Sequence, residues 1–511
     1  MDWTAGYVAD VGYTFGYYAE LNPLRVKLAF LHAGIVPPEA GQACELGFGQ
    51  GISTNIHAAA STTEWHGTDF NPAQAGFAQD LARTAAASAR LYDDSFADFC
   101  ARSDLPDFDY IGLHGIWSWI SDENRAIIVD FVRRKLKVGG VLYVSYNTLP
   151  GLAPMLPVRH LLTQHAQLMA APGDGIVARI DASLAFADKL FETNPHYTSA
   201  NPGVLERVKA LKAQNRHYLA HEYFNRDWQP MPFSQMAEAL APTKLSYACP
   251  ANLDGHVDLI NLSQEQRSLL GEISDRGFRE TVRDFMTNKQ FRKDYWVKGA
   301  RALAPIERSE ALRALRLVLL VPRAQAPLKS KGSRGEVTMS EAIYGPIYDL
   351  LAEHRPVSLG TLEQQLREAK VNLAQLVEAA LLLVNLGAVA LAQDEPAIEH
   401  SRPACARLNL RLMHQARSSE AVLVLASPVT GGGIPVNRFE QLFLLARTQG
   451  QTTADQWGRY AWEVLSAQGH RIMKDGAPLA SPEENLAEMR QQAQSFAELR
   501  LPLLAALGIA A

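Results

Sequence analysis

Cysteine is scarce in these 511 residues. There are four, Cys44, Cys100, Cys249 and Cys405, far apart and without a CxxC pair. This spacing argues against a zinc site and still more against a disulfide framework, and it predicts reduced thiols in a cytoplasmic chain. An excess of one charge is also missing. Lys and Arg number 49 against 54 Asp and Glu, a formal net charge of −5. No global basic field draws the chain to nucleic acid or to an anionic membrane. Long apolar runs are lacking too. LRLVLLVP near Leu317 and LVEAALLLVNLGAVALA from Leu376 are short or interrupted, below the roughly 20 residues of a membrane span. The opening MDWTAGYVADVGYTFGYY has neither the basic start nor the apolar stretch of a secretory signal.

What is present is ordinary globular material, 47% hydrophobic and 20% charged, enough for two to four domains. The first half alternates strand and helix patterns. Strands are predicted at QACEL ending at Leu46, EWHGTD ending at Asp69, SARLYD ending at Asp93, FDYIGLHG from Phe108 and GVLYVSYN from Gly140. Helical patterns follow from Ile52, over Pro72 to about Ala87, and over about Asp122 to Leu136. This order predicts an α/β fold: a parallel sheet, right-handed crossovers and helices on both faces. Residues 151–218 read as a helical cap beyond the carboxyl ends of the strands. PFSQMAEAL, KLSYACP and VDLINLS then read as helix, strand and strand, completing a domain over 1–263. A charged helical segment is expected over 264–321, extending through RDFMTNKQFRKDYW with a solvated face, and a Pro, Gly, Ser and Lys-rich linker over 322–337. Three helices and a strand over 338–395 suggest a winged-helix-like unit, and 396–511 an accessory α/β region.

The chemistry concentrates in Glu45-Leu-Gly47-Phe-Gly49-Gln-Gly51, directly after the first strand. Glycines permit a tight turn and close backbone approach to a ligand, and the next helix N-terminus favours negative groups. A dinucleotide site calls for GxGxxG; here the glycines alternate as GxGxG behind an acid. That suits a sulfonium nucleoside, its carboxylate on backbone amides and its cationic end toward Glu45. Asp69 ends the second strand, 24 positions after Glu45. A carboxylate there can take both ribose hydroxyls, with a helix N-cap at Asp69 or Asn71 as the alternative. Asp94 and Ser95, after the third strand, are placed to read adenine or to form a plain turn.

On these residues the chain resembles the class I methyltransferases, and within them the group with a methyltransferase regulatory domain that includes bacterial protein-lysine methyltransferases of the rickettsial type. CELGFGQG, GTDFNP, FDYIGLHGIWSWIS and KVGGVLYVSYNTLPG carry the likeness, with HEYFN and RDFMTNKQFRKDYWVKG further on. HGIWSWIS followed by SYNTLPG is far more specific than the glycine loop. The resemblance implies a Rossmann-like seven-stranded sheet with its last strand antiparallel. It also implies S-adenosyl-L-methionine as cofactor, held at Glu45, Gly47, Gly49, Gly51, Asp69 and Asp94, with Asn71 and Ser95 beside them. Phe48 departs from the small residue or cysteine of many relatives and alters packing beneath the donor.

Methyl transfer asks chiefly for alignment and desolvation. His114 is a candidate general base or a loop anchor, and Tyr146 a second candidate for the reacting centre. Trp117, Trp119, Tyr143 and Tyr146 are candidates for the acceptor wall, where aromatic rings suit a cation, or for core; Tyr146 and Asn147 either position a polar group of the substrate or cap the strand. Tyr13, Tyr17 and Tyr18 form either an N-terminal lid or an aromatic surface patch. No metal site is expected. The third helix of 338–395, NLAQLVEAALLLVNL, has no Arg or Lys to meet phosphates, so this unit reads as a protein-interaction or homodimer module. Cap and accessory regions favour a protein substrate, with lysine as acceptor. A small metabolite or glycan is the alternative, and a non-enzymatic scaffold a third.

Overall fold

The computed structural model describes residues 7, 12, 14–171 and 173–510; Tyr13 lies outside them. Seven strands form the main sheet: β1 (Gln42–Leu46), β2 (Glu64–Thr68), β3 (Ala89–Tyr92), β4 (Phe108–Leu113), β5 (Leu136–Asn147), β6 (Leu245–Pro250) and β7 (Phe291–Lys298). Their order is β3-β2-β1-β4-β5-β7-β6, and β7 runs antiparallel to both its neighbours. The order reverses beside β1, between β2 and β4, which opens a crevice at the strands' carboxyl ends.

Alternation along the strands feeds two cores. Tyr110, Tyr143, Tyr295 and Val297 face one side with α1 (Pro23–Ala33); Ile111, Leu142, Val144 and Trp296 face the other. The helices α2 (Ile52–Ala60), α3 (Pro72–Ala85), α4 (Phe96–Ala101) and α5 (Asp122–Lys135) follow the first four strands. Caps and charge set their limits. Ser121 caps α5, Asp122 and Glu123 lie in its first turn, and Arg133 to Lys135 in its last.

The cap consists of α6 (Leu156–Leu168), α7 (Ile176–Glu192), α8 (His196–Ala200), α9 (Gly203–Lys212) and α10 (Arg216–Tyr223). It has a small core of its own around Leu162, Ile180, Leu184 and Val208. After α11 (Phe233–Leu240) and β6, the structure departs from the expected order. VDLINLS is not a strand: Asp258–Asn261 is a short helix, α12. The sheet is closed instead by β7, inside the segment expected to be helical. The helical part there is α13 (Gln264–Glu272) and α14 (Arg276–Thr287), and Asn288 ends α14 in the left-handed region. FRKDYWVK reads as a charged helix because its charges are paired inside the protein. Arg292 donates to Asp284 and Asp294 at 2.7 Å each and to Glu280 at 2.9 Å.

The expected linker over 322–337 contains ordered structure. After α15 (Pro305–Ala314) and β8 (Arg316–Leu319), β9 (Lys329–Gly332) and β10 (Gly335–Thr338) form a hairpin. Ser333 N–H donates to Asn261 Oδ1 at 3.0 Å, which seats the turn on α12. Beyond lie α16 (Glu341–Leu350), α17 (Leu359–Gln365) and α18 (Leu373–Asn385). The strands β11 (Val357–Ser358) and β12 (Val389–Ala392) flank β8 in an antiparallel sheet. The helix α18 is not a free interaction face. It packs on α1, α17 and the Leu253–His256 turn, and eight of its thirteen residues are buried; its all-round apolar character reflects burial. The last region holds α19 (Glu395–Gln415), the hairpin β13 (Val424–Ser427) and β14 (Gly432–Pro435), and α20 (Arg438–Thr448), α21 (Ala454–Ser466) and α22 (Pro482–Ser495). It packs on α2 and α3 through Ile52, Ile56, Leu81 and Ala85. No helix among the described residues is long and apolar enough to cross a membrane.

Candidate active site

A cavity of about 180 Å³ occupies the crevice. Its walls come from the carboxyl ends of β1 to β4, the N-terminal segment and the approach to α5. Glu45, Gly47, Gly49, Asp69, Asp94, Ser95, His114 and Trp119 all line it.

The glycine loop is built differently from expectation. Its amides serve the loop itself: Gly47 N–H donates to Thr68 O at 2.8 Å, Phe48 N–H to the same oxygen at 3.3 Å, and Gly51 N–H to Phe48 O at 2.9 Å. Gly49 N–H donates to Asp69 Oδ2 at 2.8 Å. These amides are therefore not turned to a ligand's carboxylate; the glycines act by shape. Gly47 has φ 74°, and a Cβ there would meet Ile116 Cδ1 at 2.4 Å. Gly51 has φ 68° and does not line the cavity; a Cβ there would meet Ala78 Cβ at 2.5 Å, so it lets α2 and α3 approach. Phe48 packs beneath the loop against Ala75, Ala78 and Leu91.

Two carboxyls stand out electrostatically. Glu45 is 2% exposed, accepts a hydrogen bond from Thr54 Oγ1, and is pushed by burial up to about 8. Asp69 accepts from Gly49 and, at 3.0 Å, from Asn71 N–H, yet burial raises it to about 6. Each of its oxygens retains a lone pair for a ligand hydroxyl. Asp94 Oδ2 accepts from Arg102 at 3.0 Å. Ser95 caps α4 while lining the cavity. Asn71 is outside it: its side chain caps α3, accepting from Ala73 and Gln74 amides.

At the other end, the ring of Tyr18 stacks on His114, centroids 3.5 Å apart. His114 Nδ1 lies 2.7 Å from Tyr143 Oη, and burial lowers its pKa to about 3. The contact with Tyr143 ties the loop after β4 to β5. Trp119 donates from Nε1 to Glu222 O at 3.3 Å, linking the wall to the cap.

Four other candidates turn elsewhere. Tyr146 donates to Asp294 at 3.0 Å, in the buried Arg292 network. Trp117, 1% exposed, points to Met231 Sδ at 3.4 Å. Asn147 is absent from the lining, its backbone joined to Ser118 and Met231. Tyr17 bonds His57 Nε2 at 3.1 Å and lies against Gly432 and Gly433. Residues that sequence reasoning missed include Tyr7, Phe70, Phe96, Ile116 and Asp227. Phe70 and Phe96 directly follow Asp69 and Ser95, so their places after strand ends were a usable signal. Among the described residues no group of three or more His, Cys, Asp or Glu could hold a metal ion.

The chain is similar to several known proteins. The family described as "Predicted methyltransferase regulatory domain" matches residues 215–298. The uncharacterized protein sll1526 of Synechocystis sp. is 39% identical over 514 residues, covering 100% of both chains. The uncharacterized protein RP789 of Rickettsia prowazekii is 27% identical over 291 residues, 55% of this chain and 51% of that one. In three dimensions, PKMT2 from Rickettsia typhi in complex with AdoHcy superposes with a TM-score of 0.69 at 18% identity, over 97% of this chain and 99% of that one.

Proposed function

We propose that this chain, which belongs to one family with the Synechocystis protein and matches the predicted methyltransferase regulatory domain over residues 215–298, is an S-adenosylmethionine-dependent methyltransferase acting on protein lysine side chains. The observation that carries the reading is the lining of the cavity. Glu45 and Asp69 line it with Tyr7, Tyr18, Phe70 and Trp119; Asp94 and Asp227 line it while paired with Arg102 and Arg226, and no Lys or Arg is among the described lining residues. Such a site favours cations over anions, both as donor and as acceptor. The neighbour from Rickettsia typhi was seen with AdoHcy, the demethylated donor. S-adenosylmethionine, when bound, supplies an electrophilic methyl group on a sulfonium.

The residues fit that donor. Asp69, at the tip of β2, takes the ribose hydroxyls on its remaining lone pairs, and Glu45 faces the cationic amino-acid end. Asp94 and Ser95 flank the base. At the acceptor end Tyr18, His114 and Trp119 exclude water and align the incoming amine. The lysine ammonium gives up its proton to solvent before it attacks; the donor's sulfonium and burial lower the amine's pKa against the opposing pull of the acidic lining, and His114 serves to hold the wall.

The test is incubation with methyl-labelled donor and a lysate of the source cells. Label retained in protein bands and recovered as methyllysine after hydrolysis is the expected outcome. Label confined to the small-molecule fraction overturns the acceptor assignment.

A further inference from the structure

Two aromatic residues of the cavity's acceptor end, Trp119 and Tyr18, are held from the same distant stretch of sequence. Trp119 belongs to the Trp117–Trp119 turn after β4. Arg125, 8% exposed on α5, donates from Nε to Trp117 O at 3.0 Å and from Nη1 to the Gln229 side-chain oxygen. Gln229 N–H donates in turn to Ser118 O at 2.8 Å. Gln229 therefore grips the turn twice, by its backbone and through the guanidinium. The Trp119 indole itself is tied to Glu222 O on α10.

Tyr18, stacked on His114, leads into the Ala19–Leu21 turn. Lys293 Nζ on β7 donates to Glu20 Oε1 at 2.7 Å, and both side chains are largely buried. Tyr295 Oη, also on β7, donates to Glu20 O at 2.7 Å. This turn too is held by side chain and backbone together, and charge-assisted bonds of such length fix direction as well as distance.

Glu222, Gln229, Lys293 and Tyr295 all fall within residues 215–298, the stretch matched by the predicted methyltransferase regulatory domain. The donor end is braced differently. Among the described residues, the side chains of Glu45, Asp69, Asp94 and Ser95 make their hydrogen bonds within residues 45–102. The helices α2 and α3 behind them pack on the C-terminal region.

We propose that Gln229 and Lys293 are positioning residues for methyl transfer, setting Trp119 and Tyr18 respectively, so that residues 215–298 govern the transfer step and leave donor binding alone. The inference rests on the reading of Tyr18, His114 and Trp119 as the acceptor end. Neither Gln229 nor Lys293 lines the cavity; each acts through the wall it holds. A misplacement of about 1 Å costs on the order of a hundredfold in rate.

The test separates binding from transfer in the full chain. Gln229→Leu keeps the bulk of the side chain and removes the oxygen that Arg125 bonds; Gln229→Glu puts an oxygen back. Lys293→Met and Lys293→Arg form the matching pair on the other wall. Gln229→Leu and Lys293→Met should each bind S-adenosylmethionine within about twofold of the parent by calorimetry, yet transfer labelled methyl to a lysate of the source cells about tenfold more slowly or worse at saturating donor. Gln229→Glu and Lys293→Arg should recover the rate to within about threefold. General destabilisation would lower donor affinity and rate together. The rate is read in whichever fraction takes the label, so label in small molecules overturns the lysine assignment and still decides this proposal. Hydrogen exchange needs no acceptor and decides it if the parent labels nothing. Exchange should quicken over residues 114–121 in Gln229→Leu and over 14–22 in Lys293→Met, with 45–51 unchanged in both. If one variant melts early, the pair on the other wall carries the test. Folded variants that transfer at the parent rate, that lose donor affinity in step with rate, or that leave exchange over those stretches unchanged overturn the proposal.

Discussion

At Asp69 a carboxylate is held by two backbone amides and still has lone pairs facing the cavity. Asp69→Ala should weaken S-adenosylmethionine binding by well over tenfold, about 1.5–3 kcal/mol for charge-assisted hydrogen bonds; isothermal calorimetry checks this, and unchanged affinity removes the residue from the site. Glu45 leads to a prediction about protons. Burial raises it to about 8 and Asp69 to about 6, so folding of the unliganded chain takes up protons. That stabilisation is complete below the ordinary carboxylate range and is lost as pH climbs through about 6 and then about 8. The melting temperature of the unliganded protein should therefore fall between pH 5 and 9 from this source, and Glu45→Gln should flatten the upper part. A cationic ligand favours ionised Glu45, so binding near pH 7 should release a proton, seen as a buffer-dependent calorimetric enthalpy. Sequence placed Glu45, Asp69, His114 and Trp119 on the cavity because strand ends and the loops after them point there. It did not separate Trp119 from Trp117 two residues earlier, nor show that Tyr146 turns to Arg292. Those choices depend on which face of a turn or strand a partner occupies, and Met231 and Asp294 come from distant sequence.

Among the elements, β1 to β5 were legible because each is a buried run followed by a helix pattern. The seventh strand was not. Arg292 and Asp294 sit in its middle, and only the arrival of Asp284 and Glu280 from α14 makes that tolerable. VDLINLS erred in the other direction: four apolar residues in seven pass for a strand, yet the segment caps and turns into α12. The α2–α3 pair is sensitive at one point. Gly51 has a positive φ with Ala78 Cβ in the way of any side chain. Gly51→Ala should destabilise the fold by about 1–3 kcal/mol, measured by urea unfolding, and should lower donor affinity through displacement of the loop.

Across the whole molecule, the expected boundaries dissolve into shared cores. One cluster runs from Leu21 through Tyr143 and Tyr295 to Leu391, and another joins Ile52 and Leu81 to Leu408, Leu442 and Leu504. Composition marks Pro and Gly-rich stretches but not what packs across them, so 322–337 passed for a linker. Truncation before α19 should bare Ile52, Ile56, Leu81 and Ala85; the shortened chain is expected to aggregate or melt far below the parent in differential scanning calorimetry. Two consecutive tyrosines show how far this sharing reaches. Tyr17 is clasped by His57 and the β14 glycines, while Tyr18, the next residue, is a panel of the cavity. The C-terminal hairpin and the reaction chamber thus pull on opposite ends of a single peptide bond, a lever with almost no slack. Gly432→Ala, whose methyl would collide with the Tyr17 hydroxyl at 2.5 Å, should be felt as altered donor affinity, although it lies nearly four hundred positions along the chain from the glycine loop.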